Sequence, residues 1–522
     1  MRLFSHRLLL AALASCGLFF GTANPILHVP FAILLYPLAL CALSRGKSPF
    51  RAGWMAGIPG AACALYWVAC AAHHYGDFPW LLAAPCSILL GMYVSLWGGL
   101  FSWLASRFSS LPLWRRALAC GALWTILEWT RGWFGTGFPW LTLSSGLAAW
   151  PVLCQPLCLA GAYGYSGYLA AAAVFAEESM HLFLHEKHGA TALAIGVSLC
   201  IATALFGTGR LKWQNFAGEP LTVALIQGNV RQDVKWTPEH QSASLEKYMR
   251  LSRKAIRECH AAKKSPDLLL WPETAMPFYY PASPHLQELR DFSISLGMPL
   301  ITGIPALKYS PDGSRMLLNR ACLFDGQQGE IFYDKEHLVP FGEYVPPFLD
   351  LPLFQPLLQG LGGFSTGENH SLFALHPAGR KEIPAGMLIC YEAVFPELAR
   401  ARVADGAQLL FNISNDAWYD RTSAAMQHAQ LSLMRAVEQG RWIARATNTG
   451  ITAMLDPFGR MHALGTAEND HALFTENHMI GTALALRGHT PYFYLHPWLP
   501  WLAFLLLCGA SLPAWRKKYQ HD

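Results

Sequence analysis

Apolar residues are spread unevenly along this chain. Seven apolar segments fill its first part, at about 8–23, 26–43, 53–72, 80–105, 117–130, 151–176 and 190–207, and an eighth covers 496–515. A helix that crosses a bilayer needs about 20 such residues, so eight membrane helices are expected, the first and fifth being the shortest. Residues 208–492 have a different character. Their apolar runs are short and separated by amphipathic or polar stretches. Runs near 221–226, 267–271, 299–303, 316–324, 329–333, 385–390, 408–413, 442–447 and 451–455 have the length of strands, and 238–262, 284–296, 396–404 and 424–439 read as helices. Thr237 stands where an N-cap belongs, and Asp325-Gly326 marks a hairpin. This alternation predicts an α/β domain with many antiparallel pairs, a sheet sandwich covered by helices. The expected organisation is a transmembrane bundle over 1–207, an extracytoplasmic domain over 208–492, and a last transmembrane helix with a basic tail over 493–522.

Charge sharpens that division. Charged residues make up 14% of the chain, against about 25% in ordinary soluble domains. A dispersed net charge of +5 gives no ground for nucleic-acid binding. With the N-terminus in the cytoplasm, the inner side receives Arg2, Arg7, Arg45, Lys47, Arg51, Arg107, Arg115, Arg116, Lys187, Arg516, Lys517 and Lys518. The short outer loops receive only Arg131. That asymmetry follows the positive-inside rule, placing both termini inside and residues 208–492 outside. Basic Met1–Arg7 followed by Leu13-Ala14-Ser15-Cys16 imitates a signal peptide. The apolar run continues past Cys16, however, and losing the segment would spoil the charge alternation, so it is expected to stay.

Thirteen cysteines change the picture little, because ten lie in apolar segments and pass as small hydrophobes. Of Cys259, Cys322 and Cys390, only the first two could pair, and no disulfide framework is expected. His181, His185 and His188 have helical spacing beside Glu177 and Glu178. They are read as a solvated helix end rather than a metal site. Glu128, near the end of a membrane helix, is either functional or the partner of Arg131. Val345–Phe364 is almost wholly apolar, with Asp350 its one charge. A long apolar loop beside a bilayer is expected to dip into it.

Three runs end in reactive groups. Ala385–Ile389 ends at Cys390, followed by Tyr391 and Glu392; Leu268–Pro272 delivers Glu273; Ile331–Asp334 delivers Lys335. These strand ends are expected to meet at one edge of one sheet, where open α/β sheets gather their chemistry. A free thiol is mostly protonated at neutral pH, so Glu273 is the candidate base. Lys335 and a backbone N–H beside Cys390 can face an oxyanion. Singly each residue is weak evidence, since buried cysteines are mostly inert core.

Together they carry a resemblance. Residues 208–492 resemble the nitrilase, or carbon–nitrogen hydrolase, superfamily, whose Glu-Lys-Cys triad falls on Glu273, Lys335 and Cys390. The motifs are Trp271-Pro272-Glu273-Thr274-Ala275, the run from Lys335 to Pro346, Cys390-Tyr391-Glu392, Asn412–Trp418 and Asn448-Thr449-Gly450. Gln427-His428, Arg435-Ala436, Glu438, Gly440-Arg441 and Arg445-Ala446 match as well, and Thr136–Leu141 extends the match into the apolar part. The whole chain resembles the bacterial apolipoprotein N-acyltransferases, membrane-bound members of that superfamily. Tyr419-Asp420 departs from the usual Phe-Gly, and Thr142-Leu143-Ser144 from a Gly-Tyr-Ser-like run.

The resemblance implies an αββα sandwich on an eight-helix bundle in the bacterial inner membrane, acting as a monomer without cofactor. It implies a phospholipid acyl donor, phosphatidylethanolamine, and a diacylglyceryl apolipoprotein as acceptor, joined through a Cys390 thioester. Glu343 and Glu392 would orient the triad or help stabilise it, Tyr391 would lend its amide, and Trp236, Trp418 and Trp140 would serve gating or lipid contact. Two rival readings stand beside this one, the first served by the same triad. A membrane-tethered amidase or nitrilase would need neither the helices nor the apolar arm. A non-catalytic receptor or transporter would not need the triad.

Overall fold

The computed structural model describes residues 2–185, 190–212, 217–231, 236–310, 312–326, 329–346, 363–464 and 473–518. Most of the apolar stretch 345–364, and Lys187 and His188, lie outside them. The chain divides into two units. One comprises Met1–Gln214, Thr422–Glu438 and His489–Asp522; the other comprises Asn215–Arg421 and Gln439–Gly488. The segment 422–438, expected within the α/β domain, thus groups with the helices.

The second unit holds two six-stranded sheets. The first is built from β1 (Glu219–Gln227), β2 (Leu268–Leu270), β3 (Leu300–Tyr309), β4 (Arg315–Asp325) and β5 (Gly329–Asp334). The second is built from β6 (Phe373–Leu375), β7 (Ile383–Ile389), β8 (Leu409–Ser414), β9 (Ile443–Thr447), β10 (Ala453–Leu455) and β11 (Met461–Ala463). The last strand, β12 (Asn477–Ala485), returns to the first sheet beside β1. The orders are β12-β1-β2-β3-β4-β5 and β11-β10-β9-β8-β7-β6. The short β6 and β11, and β12, were not expected from the hydrophobic pattern.

Alternation explains the layering. Side chains two apart on a strand share a face. Val223 and Leu225 join Leu268, Leu270, Met387, Ile389, Phe411 and Ile413 in one core that draws on both sheets. Ala224 and Ile226, pointing the other way, join Leu269, Trp271, Leu245, Tyr248, Leu286 and Phe292 under the helices Pro238–Ala261 and His285–Leu296. Both faces of the central strands are buried, so they read as continuous apolar runs. Thr237 does sit at the N-cap of the first of these helices, but its side chain makes no cap bond. It pairs instead with His240 Nδ1 at 2.7 Å.

The first unit is helical. Four helices among the described residues are long and apolar enough to cross a membrane: Trp80–Phe108, Leu157–Phe183, Ala190–Lys212 and Pro491–Ser511. A fifth is possible if Pro49–Ala64 and Trp67–Tyr75, bent by 53°, form one span. Eight were expected. His6–Phe20 and Pro30–Ser44 are shorter apolar helices, and Leu113–Arg131 carries Arg115, Arg116, Glu128 and Arg131. Glu128 is buried, accepting from Trp124 Nε1 at 2.9 Å and Leu143 N at 3.0 Å, with Arg131 at 3.9 Å. Glu177 and Glu178 are not solvated helix-end groups. They meet Arg45 and Arg116 in a partly buried cluster, with Arg45–Glu177 at 2.8 Å and Arg116–Glu178 at 2.6 Å. All thirteen cysteines lie among the described residues, and none forms a disulfide there.

Candidate active site

Glu273 is delivered by β2 through Trp271 and Pro272. The Trp271 N–H donates to Ile301 O at 2.8 Å, and the Gly303 N–H to Pro272 O at 3.0 Å. A Cβ on Gly303 would fall 2.3 Å from Thr274 N, so only glycine lets β3 come this close. Lys335 follows β5, its N–H donating to Asn319 O on β4 at 2.8 Å. Strand β2 runs parallel to β3; β4 is antiparallel to β3, and β5 to β4. Strands β2 and β5 therefore run the same way and release Glu273 and Lys335 at one edge. Cys390 comes from β7, in the other sheet. The triad draws on both halves of the sandwich, not on one sheet as expected. The reason is that β7 pairs with β6 and β8 and has no partner in the first sheet.

The ammonium of Lys335 lies in a nest of oxygens. Its Nζ is 2.9 Å from Glu343 Oε1, 2.8 Å from Glu343 Oε2 and 3.5 Å from Glu273 Oε1. Asn319 Nδ2 donates to Glu273 Oε1 at 2.7 Å and to Glu343 Oε1 at 2.8 Å, locking the two carboxylates together. The Val339 N–H holds Glu343 Oε2, and the Asn415 N–H holds Glu273 Oε2, both at 2.8 Å. Burial works against the Lys335 charge, but Glu343 and then Glu273 outweigh it, and the net direction is upward. Lys335 therefore stays an ammonium.

Cys390 is buried, with φ of 52°. A non-glycine residue in this region stores strain, and such positions gather at functional sites. Thr274, next to Glu273, is left-handed too, with φ of 48°. Burial, then the Glu273 carboxylate, push the Cys390 thiol well up, with Lys335 pulling the other way. At rest the sulfur carries its proton. Ser414 Oγ lies 3.3 Å from it.

Glu392 supports the turn. Its Oε2 accepts from the Ile389 N–H at 2.6 Å; its Oε1 accepts from Tyr333 Oη at 2.9 Å and the Glu336 N–H at 2.7 Å. The end of β7 is thereby tied to the segment that carries Lys335. Burial raises this carboxyl to about 7, against the pull of its donors. The Tyr391 ring packs edge-on against Phe395 at 5.0 Å.

The tryptophans separate. Trp236, stacked on Tyr279 at 6.0 Å, and Trp418 are exposed on the α/β unit. Trp140 is buried in the helical unit, where its Nε1 donates to Gln427 Oε1 at 2.7 Å. Asn319 and the Asn415 N–H have no counterpart in the sequence reading. Asn319 lies 46 residues from one carboxylate and 24 from the other. Only knowing that β4 runs between β3 and β5 would have placed it there.

With this geometry in view, the chain can be set against known proteins. A family profile described as "Carbon-nitrogen hydrolase" matches residues 222–476, and one described as "Apolipoprotein N-acyltransferase N-terminal domain" matches residues 15–175. Together they cover most of the α/β unit and most of the helical one. An apolipoprotein N-acyltransferase of Geobacter metallireducens is 34% identical over 84% of this chain and 82% of its own length. Those of Chromobacterium violaceum and Pseudomonas aeruginosa are each 35% identical, over 98% and 96% of this chain and 95% of their own lengths. Identity at that level across both the apolar helices and the α/β unit places the chain in the apolipoprotein N-acyltransferase family.

Proposed function

We propose that this chain transfers an acyl chain from a membrane phospholipid to the N-terminal amine of a diacylglyceryl apolipoprotein, with Cys390 carrying it as a thioester. The observation that carries the reading is the Lys335 ammonium held between Glu343 and Glu273, in a shell that also reaches Cys390. Glu273 takes the S–H proton as the sulfur adds to the ester carbonyl. The oxyanion that forms faces Lys335 and the backbone N–H beside Cys390. Collapse expels the lysophospholipid alkoxide, which takes the proton back from Glu273. The lipoprotein amine then attacks the thioester; Glu273 accepts a proton from the nitrogen, and the sulfur leaves and is reprotonated.

Glu343 and Glu392 are assigned to orientation and the Tyr391 segment to the oxyanion amide. The exposed Trp236 and Trp418 are assigned to lipid contact, and Trp140, by its burial, to holding Gln427. The donor is taken to be phosphatidylethanolamine and the enzyme a monomer. The charge asymmetry supports eight crossings of the inner membrane, both termini in the cytoplasm and the catalytic unit over 208–492 on the periplasmic side. The apolar run 345–364 is proposed to admit acyl chains. The amidase reading shares the triad but leaves the many exposed apolar side chains of the helical unit without purpose.

The test is intact mass after mixing with phosphatidylethanolamine vesicles. The wild-type chain gains one hydroxylamine-labile acyl group, and Cys390→Ser gains none. Near-normal lipoprotein acylation by Cys390→Ser would falsify the assignment. Release of free fatty acid or ammonia without lipoprotein acylation would favour the amidase.

A further inference from the structure

A second chain of buried polar groups reaches the sulfur through Ser414, the last residue of β8. Ser414 Oγ lies 3.3 Å from Cys390 Sγ and 2.7 Å from Asp416 Oδ1. Asp416 Oδ2 accepts from Arg445 Nη2 at 2.8 Å, and neither side chain is exposed at all. Arg445 is held in turn. Its Nη1 donates to Asn412 Oδ1 and its Nε to Ile451 O at 3.3 Å. Asn412 Nδ2 donates to Leu388 O at 2.9 Å, on the strand that ends at Cys390. A Cβ on Gly450 would fall 2.1 Å from Asp416 Oδ2, so glycine is what lets the carboxylate sit here. The next residue along, Asn415, gives its N–H to Glu273. The end of β8 therefore touches both the nucleophile and the candidate base.

A serine hydroxyl has one proton and here two acceptors. The 2.7 Å bond to a carboxylate is charge-assisted and takes that proton while the sulfur is a thiol. The oxygen's lone pair then faces the S–H. We propose that Ser414 is a positioning residue for Cys390: it accepts the S–H at rest and swings its own proton from Asp416 to the sulfur as the thiolate forms. The clamped Asp416–Arg445 pair gives that proton a defined resting place. No atom is gained or lost at Ser414. The S–H proton goes to Glu273, the sulfur electron pair forms the bond to the acyl carbon, and Asp416 keeps its bond to Arg445. When the thioester breaks, the departing sulfur carries negative charge again and meets the same donor.

This inference rests on Cys390 being the acylated residue, so the experiment separates the two. The full-length protein in detergent is mixed with phosphatidylethanolamine, and the rate of acyl-enzyme formation is followed by mass across lipid concentrations. Ser414→Ala is expected to slow the saturating rate about tenfold or more, the loss of one hydrogen bond to a charged group, with half-saturation unchanged. Ser414→Thr, which keeps the hydroxyl, is expected to recover most of it. A wild-type rate in Ser414→Ala overturns the role. So does a change confined to half-saturation. So does a Ser414→Thr variant with wild-type thermal midpoint that stays as slow as Ser414→Ala. Acylation that persists in Cys390→Ala would instead remove the nucleophile itself, whatever Ser414 does.

Discussion

The two units are nearly equal in length and opposite in surface. Among the described residues, thirty-four large apolar side chains are exposed on the helical unit and five on the α/β unit. Leu81, Phe183, Leu205 and Leu505 stand out from helices, whereas Ile413, Phe411 and Leu270 are closed inside sheets. Buried polar groups occur in both units. In the helical unit Glu128, Arg116, Gln427 and Glu438 are buried, and helices such as Pro491–Ser511 keep hardly any of their length covered. The hydrophobic effect is the same in both, but the solvent differs. One unit is built for lipid around polar ties, the other for water around an apolar sandwich.

Among the charges buried in the α/β unit, one group marks the chemistry. Glu273, Lys335 and Glu392 are buried near strand ends, with Glu343 half-buried against Lys335, where a domain gains no stability by hiding charge. Lys335 is paired with Glu343 and Glu273, and Glu392 accepts from Tyr333 and backbone N–H donors. The strongest test removes the Lys335 cation. Lys335→Met leaves two carboxylates facing each other in a buried shell and no cation for the oxyanion. Acyl-enzyme formation is expected to fall at least about 10³-fold, measured by the mass assay. A loss under tenfold would mean the oxyanion is held elsewhere.

Legibility in the sequence follows the same division. The strands were readable because apolar runs of strand length end at polar residues, as at Ile389-Cys390 and Pro272-Glu273. β6 and β11, three residues each, are too short to show a period. The Arg45–Glu177 and Asn319–Glu273 contacts join residues 132 and 46 apart, and no local pattern encodes them. Helix 424–439 has an amphipathic pattern that fits a surface helix of a soluble domain equally well. Its grouping with the membrane helices is a tertiary fact. Four of the eight expected spans stand out by length and composition among the described residues; the pattern at 53–72 contains a break after Ala64, and that at 117–130 contains Glu128.

That break supplies the counterpart test in the helical unit. Bending the chain between Ala64 and Trp67 frees backbone groups that lipid cannot satisfy. Gln427 answers with all its capacity. Its Nε2 donates to Ala64 O at 3.0 Å and Ala23 O at 2.7 Å; its Oε1 accepts from Trp67 and Trp140 at 3.1 and 2.7 Å. Gln427→Leu keeps the volume and strands four polar groups. At about 1 kcal/mol or more for each, a loss of about 3–5 kcal/mol is expected, seen as a lowered thermal midpoint in detergent. An unchanged midpoint would mean water or lipid headgroups reach the break, and the inside-out description of this unit would fail there.

The smallest effect tests whether burying charge costs the α/β unit what it costs the helical one. Glu392 has several hydrogen-bond donors and is still pushed by burial from an ordinary carboxylate value of 4.5 to about 7. Between those two values the folded protein keeps a proton that the unfolded chain has released. The native state then binds more protons, so stability falls as pH rises through the window. The contribution is full below about 4.5 and lost above about 7. Its size is bounded by the shift, about 3 kcal/mol. Glu392→Gln has no such proton. Its amide nitrogen is a poor match for the Ile389 N–H, so the variant starts less stable at pH 5. The gap to wild type is expected to narrow by pH 8, read as thermal midpoints of both proteins at the two values. Midpoints that move in parallel would mean the donors from Ile389, Tyr333 and Glu336 fully offset burial. The carboxylate would then be ionised throughout, and the turn at Cys390 would carry a permanent negative charge beside Lys335.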